Sequence, residues 1–532
     1  MLPQPALLRR RRSGGRALAA FIATAWVLAS PACSRTPGLT RDTGAGAAAN
    51  TGVPAAGDAA AIRITILQLN DVYEITPVGG GRWGGPARVA TVLRGLRAAS
   101  PNTIALLAGD LLSPSALGTA RVDGQRLDGR HMVDVLNLMG LDFATFGNHE
   151  FDLSEAALLS RLGESRFRWI SANVTAADGR SLPGVAAHVI LRFGAGPDTV
   201  RLALFGTTMD RDAADYARVD APVESAIRRA RLLRDSADII VAITHLPRQQ
   251  DIALAEAAPE IDLIAGGHDH ENLLLRRGEG LTPIAKADAN ARTVWIHDIV
   301  WNTRVRRATV ASRLLAITDS IVEDAATRSA ALAWQQRAYD GFRQAGFEPE
   351  APVAVSPLPL DGLESSVLAD TTTLTHVIAR AMLAESGAPA AIYNAGSIRI
   401  DDVLPPGPIT QYDVIRVLPF GGPVVAVEMR GALLRRVLDQ GERNRGTGGF
   451  LQRAGITATS GGGWAVAGAT LNDTASYHIA IGDFLLSGRE QGMDWLTRQN
   501  PDVRVLRELR DIRLALIDEL RRRFDGRDGL HP

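Results

Sequence analysis

The sequence predicts a layered α/β protein, because short runs of apolar, β-favouring residues alternate with segments of helical periodicity. The first run contains Ile64, Ile66 and Leu69 and ends at Asn70-Asp71. Pro86 then opens a helical pattern, at the first-turn position that proline tolerates. Further strand-like runs are expected at residues 103–107, 143–146, 239–244 and 261–265. In layered α/β domains functional sites lie beyond the carboxyl ends of strands, so the residues that follow these runs are candidates for function.

The composition is that of a globular protein with room for two or three domains: 532 residues, 46% of them apolar and 22% charged. The formal net charge is zero, which argues against binding of a nucleic-acid polymer, since such proteins carry a basic excess. Among the 58 basic residues only Lys286 is a lysine, and we interpret the arginine excess as codon bias, not as a phosphate-binding strategy. We expect a monomer.

The N-terminus has the pattern of an export signal. Residues 9–12 are all arginine, and the apolar stretch at residues 19–29 is too short to span a bilayer comfortably. Cys33, the only cysteine, resembles the lipid-modified cysteine of bacterial lipoproteins; the alternative is cleavage after Ala32, which releases a soluble protein. We therefore predict a signal peptide of lipoprotein type over residues 1–33 and a protein in the periplasm or at the cell surface, which contacts the membrane only through a lipid on Cys33.

Changes in composition divide the rest of the chain. Residues 34–60 contain almost no large apolar groups and are expected to be a flexible linker. A first domain is predicted over residues 61–318, a linker with a helix at residues 325–342 over residues 319–352, and a second α/β domain over residues 353–525. At the end of the second domain, residues 503–524 have the pattern of an amphipathic helix.

Five short polar motifs occur in order in the first 270 residues: Asn70-Asp71, Gly109-Asp110, Gly147-Asn148-His149-Glu150, Thr244-His245 and Gly266-Gly267-His268-Asp269-His270. Alone, Asp71 could cap a turn and His245 could be an interior histidine. Most of the motifs, however, end a strand-like run, which points their side chains out of one edge of a sheet. Carboxylate, amide and imidazole ligands at one edge suit a pair of divalent metals, and a metal pair suits hydrolysis of a phosphate ester.

In this order the motifs resemble the calcineurin-like metallophosphoesterase domain. With the second half of the chain, residues 62–500 resemble the bacterial 5′-nucleotidase family, which includes UDP-sugar hydrolases and 2′,3′-cyclic nucleotide phosphodiesterases. The resemblance implies a four-layer αββα sandwich followed by a second α/β domain that binds substrate. It also implies two divalent ions (Mn, Zn, Co or Mg), one held by Asp71 and His270, the other by Asn148, His245 and His268, with Asp110 bridging them.

The resemblance also assigns catalytic groups and shows one departure. His149 resembles the histidine that stabilises the transition state or acts as an acid, and Asp152 the carboxylate that orients it; alternatively, Asp152 caps a helix beginning near Leu153. Where the family usually has Asp-x-His, this chain has Asp71-Val72-Tyr73. Three outcomes are open: Tyr73 does not bind and one metal has a ligand fewer, a water replaces the histidine, or a phenolate binds a hard ion such as ferric iron.

The second half contains segments that resemble the substrate-binding part of the family. Asn394 and Arg399, in the segment Tyr393-Asn394-Ala395-Gly396-Ser397-Ile398-Arg399, would position and grip the terminal phosphate. Phe450 and Phe484 resemble the two rings that sandwich the base, although each could instead be a core residue. Glu490 stands where the family generally has an Asp for the ribose hydroxyls. No Arg precedes Glu364, where the family often adds a phosphate contact, and Arg489 is a candidate to compensate.

Together these residues imply an exported phosphoesterase that hydrolyses nucleotides to nucleoside and phosphate by means of a metal-activated water. Two alternatives within the family are a UDP-sugar hydrolase and a 2′,3′-cyclic nucleotide hydrolase. A third alternative, from another class, is a non-catalytic nucleotide-binding lipoprotein in which Tyr73 marks a decayed centre. The intact set of Asp110, Asn148, His149 and the three later histidines favours an enzyme.

Overall fold

The computed structural model describes residues 61–196, 198–210 and 214–524. The predicted signal peptide, Cys33 and the linker over residues 34–60 lie outside the described residues. Within the described ranges, no helix combines the length and the apolar character that crossing a bilayer requires.

The N-terminal part of the chain alternates strands and helices, as the sequence predicts. Its strands are β1 (Ala61–Leu69), β2 (Thr103–Ala108), β3 (Arg121–Val122), β4 (Gln125–Arg126), β5 (Phe143–Thr145), β6 (Arg168–Ile170), β7 (Val174–Ala176), β8 (Val185–Ala186), β9 (Val189–Ala195), β10 (Asp198–Thr208), β11 (Ala217–Val219), β12 (Ile239–His245), β13 (Leu263–Gly266), β14 (Leu273–Arg277), β15 (Thr282–Lys286), β16 (Thr293–Asn302) and β17 (Arg307–Ala316). Its helices are α1 (Pro86–Ala99), α2 (Arg130–Met139), α3 (Glu155–Glu164), α4 (Pro222–Leu233), α5 (Arg248–Ala257) and α6 (Ala325–Gln344).

Two sheets form the centre of this part. One has the order β17-β16-β1-β2-β5-β6-β8 and the other the order β14-β15-β13-β12-β10-β9. Strands β1, β2 and β5 run parallel in the first sheet, as do β10, β12, β13 and β15 in the second. Because parallel strands end at the same edge, the residues that follow β1, β2, β5, β12 and β13 converge there.

Three apolar layers give this part its sandwich form. Ile64 and Ile66 of β1 pack between the sheets against residues of the second sheet such as Leu204 and Val241. The outer face of the first sheet is covered by α1, α2, α3 and α6, and that of the second by α4 and α5. The order helix, sheet, sheet, helix confirms the predicted four-layer αββα sandwich, and strands buried on both faces explain the nearly continuous apolar runs.

Helix α6 confirms the helix predicted at residues 325–342. Asp324 caps its N-terminus by accepting a hydrogen bond of 2.8 Å from the backbone N–H of Thr327. Trp334 is buried against the N-terminal part and donates from Nε1 to Asp134 Oδ2 at 2.8 Å. The helix is therefore packed on the sandwich, together with α1 and α2.

The C-terminal part forms a second α/β unit. Its strands are β18 (Pro352–Ser356), β19 (Leu360–Asp361), β20 (Ala390–Asn394), β21 (Val403–Leu404), β22 (Gly407–Thr410), β23 (Pro423–Arg430), β24 (Leu451–Ala454), β25 (Ile456–Ala458), β26 (Trp464–Val466), β27 (Ala469–Thr470), β28 (Ser476–Gly482) and β29 (Val503–Asp511). Its helices are α7 (Glu364–Val367), α8 (Thr373–Ser386), α9 (Gln411–Val417), α10 (Gly431–Arg443) and α11 (Ile512–Phe524). The main sheet has the order β24-β20-β28-β23-β29.

The helix predicted over residues 503–524 is wrong in its first half. Residues Val503–Asp511 form the edge strand β29, which pairs antiparallel with β23 so that Val505 faces Val427. Only Ile512–Phe524 is helical. The apolar residues of this segment fit both a helical and an alternating spacing, and pairing with a strand distant in sequence decides between them.

Buried charges join the two parts beside the carboxyl edge of the sandwich. Arg416 of α9 donates to Glu74 at 3.1 Å and lies 3.4 Å from Asp402. Arg292 of the sandwich donates to Asp402 at 3.0 Å and to the carbonyl of Asp401 at 2.7 Å. The segment around Asp401 is thereby held against the end of β1.

His297 of β16 provides a test of the buried core. Its Nε2 lies 2.9 Å from Gln68 Oε1 and its Nδ1 2.8 Å from Ser312 Oγ. Burial lowers the pKa of His297 from 6.5 to about 3. As the pH falls below 6.5, His297 of the unfolded chain takes up a proton, whereas the buried ring does so only near pH 3. The free energy of unfolding therefore decreases as the pH falls between these two values.

We therefore expect His297→Gln to lose less stability than the wild type between pH 7 and pH 5, by up to about 2 kcal/mol. Urea denaturation followed by tryptophan fluorescence at both pH values measures the difference. His478→Gln, at an exposed ring, is the matched control and should keep the wild-type dependence. Equal losses in His297→Gln and the wild type would contradict this prediction.

Candidate metal centre

Side chains from three strand ends meet at the carboxyl edge of the sandwich. Asp71 follows β1, Asp110 follows β2 and His245 ends β12. Each is buried, and one ligand atom from each lies within 4.8 Å of the others. His245 Nε2 is 3.3 Å from Asp110 Oδ2 and 3.9 Å from Asp71 Oδ1. Two buried carboxylates beside an imidazole form a suitable site for a divalent cation.

The backbone at this edge is strained where the predicted ligands stand. Asp71, Asp110, His268 and His270 have φ angles of 52°, 56°, 81° and 57°, in the left-handed region that L-residues seldom adopt. Backbone hydrogen bonds hold the turns, including Asp71 N–H to the Gly109 carbonyl at 3.1 Å. Such a residue costs about 1–3 kcal/mol, and clusters of them are typical of functional sites.

Hydrogen bonds set the ring orientation of two of the predicted histidine ligands. His245 Nδ1 lies 2.8 Å from the carbonyl of Ala108, which can only accept, so Nδ1 carries the hydrogen. His270 Nδ1 lies 3.0 Å from both Glu364 and Asp401. In each case Nε2 faces an aspartate, and against the effect of burial the neighbouring carboxylates raise the pKa of both rings, that of His245 to about 9. A bound cation would therefore displace the proton of Nε2.

The polar atoms of the site that lack hydrogen-bond partners fit a metal site. His245 Nε2 and Asn148 Oδ1 are buried and make no hydrogen bond. Burial and the neighbouring His245 lower the pKa of His268 to about 4, and its ring lies 5.3 Å from that of His245. Asn148 Oδ1 and the neutral ring of His268 offer lone pairs without a proton to bind, so a cation satisfies them where another hydrogen-bond acceptor would not.

Tyr73 occupies the place where the family usually has a histidine. Its hydroxyl lies 2.9 Å from His270 Nε2, 3.1 Å from Asp110 Oδ2 and 3.2 Å from Asp71 Oδ1. Burial, Asp110 and Asp71 raise the pKa of the phenol well above 10. The hydroxyl can donate its one hydrogen to only one of these three neighbours. The three short distances place Tyr73 among the predicted metal ligands, not turned away from them.

Glu150, which sequence reasoning named only as part of a motif, supports the turn that carries Asp110. Its carboxylate accepts hydrogen bonds from the backbone N–H groups of Asp110, Leu111, Leu112 and Gly147, at 2.6–3.0 Å. Burial and Asp110 raise the pKa of Glu150 to about 7, against the effect of these donors. The signal in the sequence is the acidic residue directly after Asn148-His149.

The predicted catalytic pair lies beside the aspartates. His149 Nδ1 is 2.9 Å from Asp152 Oδ2, and Ser113 donates to the same oxygen at 2.8 Å. The other ring nitrogen, Nε2, is 3.2 Å from Arg399 Nη1 of the C-terminal part. Asp152 ends the short 3₁₀ turn His149–Asp152, and Ser154 caps helix α3 instead. Asp152 therefore orients His149 and does not cap the helix.

The predicted substrate segments are adjacent in the C-terminal part. The backbone N–H of Ala395 donates to the Phe450 carbonyl at 2.7 Å, and that of Gly396 to the Gly448 carbonyl at 2.8 Å. Asn394 is buried and accepts a hydrogen bond of 2.6 Å from Ser397. A Cβ built at Gly449 would lie 2.7 Å from Glu490 Oε1, so the loop of Glu490 closes over the loop of Phe450.

The two predicted base-binding rings differ in exposure. Phe484 is 38% exposed, with the Arg489 guanidinium 5.9 Å from its ring centre. Phe450 is only 1% exposed, and the Arg445 guanidinium lies 4.4 Å from its ring centre. Phe420, which sequence reasoning missed, is 49% exposed and lies 6.0 Å from the Arg399 guanidinium. In this structure Phe450 has no exposed face for a base, and its role in base binding stays a prediction.

Gly147 offers a test of the centre. A Cβ at this position would lie 2.0 Å from Asp110 Oδ1 and 2.7 Å from Asp110 N. We expect Gly147→Ala to displace the Asp110 carboxylate and to weaken metal binding by about 10- to 100-fold. Metal content after dialysis, measured by mass spectrometry, checks this. Gly163→Ala in α3, with no atom within 4 Å of the new methyl group, is the control; wild-type metal content in Gly147→Ala would contradict the argument.

Comparison with known proteins agrees with this geometry. The profile of the calcineurin-like phosphoesterases matches residues 64–272, and that of the 5′-nucleotidase C-terminal domain matches residues 354–498. The 5′-nucleotidase of Vibrio cholerae is 26% identical in an alignment 494 residues long that covers 80% of this chain and 85% of that protein. The trifunctional nucleotide phosphoesterase protein YfkN of Bacillus subtilis is 26% identical over 74% of this chain, but the match spans only 29% of YfkN.

Solved structures show the same fold. The crystal structure of a 5′-nucleotidase precursor from Thermus thermophilus superposes with a TM-score of 0.70 at 22% identity, covering 86% of this chain and 96% of that one. A sulfate thiohydrolase, SoxB, from the same species gives a TM-score of 0.66 at 19% identity, covering 88% of this chain and 95% of that one. With both domain profiles matched in order, the chain belongs to the 5′-nucleotidase family of metal-dependent phosphoric ester hydrolases, with an N-terminal metallophosphoesterase domain and a C-terminal 5′-nucleotidase domain.

Proposed function

We propose that this protein is an exported dinuclear-metal phosphoesterase that hydrolyses nucleotides to nucleoside and phosphate. The observation that carries the proposal is the convergence of Asp71, Asp110 and His245 at 4.8 Å or less, with His149 and Arg399 beside them. The metallophosphoesterase domain supplies the candidate ligands, and the C-terminal domain supplies the cationic group that faces them. The catalytic site would therefore lie where the two domains meet.

The residues of the metallophosphoesterase domain would hold the cations in two sets that share Asp110. Asp71 and His270 would bind one, and Asn148, His245 and His268 the other. A bound pair of divalent cations supplies Lewis-acid chemistry, since it acidifies water and withdraws charge from phosphoryl oxygens. Tyr73 lies within the first set, so its hydroxyl either donates to Asp71 or Asp110 or yields its place to a water.

His149 and Arg399 would act on the phosphoryl group. Arg399 has a planar fork of donors suited to two oxygens of one phosphate, and its Nη1 already lies 3.2 Å from His149. A phosphoryl group between them would meet two N–H donors as its charge builds in the transition state. Asp152 holds Nδ1 of His149, so the hydrogen that faces the substrate is on Nε2 when the ring is charged.

The nucleoside would be bound by the C-terminal domain. Asn394 stands at the start of the segment that carries Arg399, and the loops of Phe450 and Glu490 close against that segment. Phe484, partly exposed, offers one face for a base. No arginine precedes Glu364, so Arg399 and, if it compensates, Arg489 would be the cationic groups for the phosphate.

Export is the remaining element of the proposal. The basic and apolar segments before Cys33 support a signal peptide, and Cys33 supports a lipid anchor on a monomer in the periplasm or at the cell surface. Membrane fractionation of a Cys33→Ser variant separates anchored from released protein.

A panel of phosphate esters tests the activity. The protein is stripped with a chelator, reloaded with manganese, zinc, cobalt or magnesium, and assayed for phosphate release from AMP, ADP, UDP-glucose and 2′,3′-cAMP. We expect turnover of AMP that requires about two metals per chain. Preference for UDP-glucose or 2′,3′-cAMP would replace the 5′-nucleotidase assignment by one of the two related hydrolases. Nucleotide binding without turnover in any metal form would contradict the enzyme.

Arg399 offers a sharper test of the proposed site. Charge-assisted hydrogen bonds contribute about 1.5–3 kcal/mol, so Arg399→Ala should lower kcat/KM about 10- to 100-fold and leave metal content unchanged. Arg436→Ala, at an exposed arginine that stacks on Trp495, is the matched control. Unchanged kcat/KM in Arg399→Ala would remove this residue from the site.

Arg489 is the candidate for the missing phosphate contact. It lies beside Phe484, at the edge of the proposed base site. If it compensates for the absent arginine before Glu364, Arg489→Ala raises the KM for AMP several-fold with little effect on metal content. An unchanged KM would discard this role, and the same assay on Arg436→Ala controls for the loss of a surface charge.

A further inference from the structure

Lys286 is the only lysine of the chain, and it is buried. It ends strand β15 with 0% exposure, among the largest fully buried side chains. Every other cationic side chain that is always charged is an arginine. Since the chain uses arginine at every other such position, we infer that arginine cannot replace lysine here. The contacts of Lys286 give the reason.

The ammonium group joins four groups that lie apart in sequence. It donates to the carbonyl of Leu246, to the carbonyl of Gly267 at 2.7 Å and to Asp269 Oδ2 at 2.5 Å. Asp251 Oδ2 of α5, also buried, is 2.9 Å away. Four oxygens around one nitrogen suit a compact ammonium, whereas a guanidinium is planar and too large for this arrangement.

Three of these groups belong to the segments that carry the candidate metal ligands. Leu246 directly follows His245, Gly267 directly precedes His268, and Asp269 stands between His268 and His270. Lys286 therefore ties the turn after β12 to the turn after β13. Because His245 and His268 belong to one proposed metal and His270 to the other, one side chain braces ligands of both.

The packing around the lysine stem explains a glycine of the same motif. A Cβ at Gly266 would lie 3.0 Å from Lys286 Cε and 3.0 Å from Asp251 Oδ2. Gly266 is paired with Lys286 in the register of β13 and β15. Because Gly266 has no side chain, the aliphatic part of Lys286 can pass over β13 and bring the ammonium to the loops that follow β12 and β13.

The charged groups around Lys286 are also compatible with a position next to bound cations. A lone ammonium near two divalent cations would repel them, but Asp251 and Asp269 more than neutralise it. Removal of the lysine alone would leave two carboxylates, one of them fully buried, without their partner. The three charges therefore form one unit, and a test has to change more than the lysine.

We propose that Lys286 is a positioning residue that orders the His245 and His268–His270 loops for metal binding. The inference rests on the two-metal centre proposed above. In this role the ammonium contacts neither the substrate nor the reacting atoms. Its effect is on the affinity and geometry of the metals, and on kcat through them.

The single lysine allows a test on the unaltered protein. Protein labelled with ¹⁵N-lysine has one side-chain amino group to observe by NMR. A buried, hydrogen-bonded ammonium exchanges its hydrogens slowly, so we expect one resolved ammonium signal, which shifts when the metals are removed by chelation. A signal that is the same with and without metal would overturn the proposal. If the wild type binds no metal at all, the two-metal function fails first, and the two failures are thus distinguished.

A charge-balanced variant tests the consequence. We expect Lys286→Met combined with Asp251→Asn to lower cobalt affinity about 10- to 100-fold and to alter the visible absorption of the bound cobalt. With cobalt saturating, kcat should fall while the KM for the nucleotide stays near the wild-type value, because Arg399 and the proposed nucleoside-binding residues are on the other domain and His149 does not contact Lys286. Ile284→Val, two residues earlier on the same strand, is the control. Wild-type cobalt affinity and spectrum in the double variant would overturn the proposal.

Discussion

The rest of the site depends on two buried carboxylates, Asp71 and Asp110. Each is within 3.3 Å of an imidazole nitrogen, and together they lie on either side of the Tyr73 hydroxyl. Burial of two anions at this separation is costly unless positive charge accompanies them. His245 and His270, whose pKa values the carboxylates raise, supply part of that charge, and the proposed cations would supply the rest.

The rigid supports of this pair come from outside the ligand set. Glu150 binds the backbone of the Asp110 turn, Lys286 binds the two histidine loops, and Glu364 and Asp401 bind His270 from the other domain. These supports share one feature: a charged side chain satisfies backbone or ring N–H groups, or carbonyls, that a strained turn leaves without partners. Strained φ angles at the ligands persist because such contacts over-determine the turns.

Much of the sandwich and of its edge could be predicted from the sequence, because the signals are local. Apolar runs mark β1, β2, β5 and β12 within one or two residues, and the polar residues that follow them meet as expected for parallel strands. Where pairing is non-local the prediction failed, as at residues 503–511, whose spacing suits a helix until β23 provides a strand partner. Phe450 is a different case: Arg445, whose guanidinium lies over its ring, is only five residues away, but the Gly448–Gly449–Phe450 loop has no pattern that predicts this contact.

Lys286 shows a different limit of sequence reasoning. A single lysine among many arginines is interpreted first as a consequence of composition, and that interpretation accounts for the arginines. It does not account for the one position that departs from the bias. There two carbonyls and two carboxylates surround the side chain, and a tetrahedral ammonium makes contacts with them that a planar guanidinium does not. An exception to a compositional bias is therefore informative when the exceptional residue is buried, because burial removes the freedom that lets lysine and arginine replace one another at the surface.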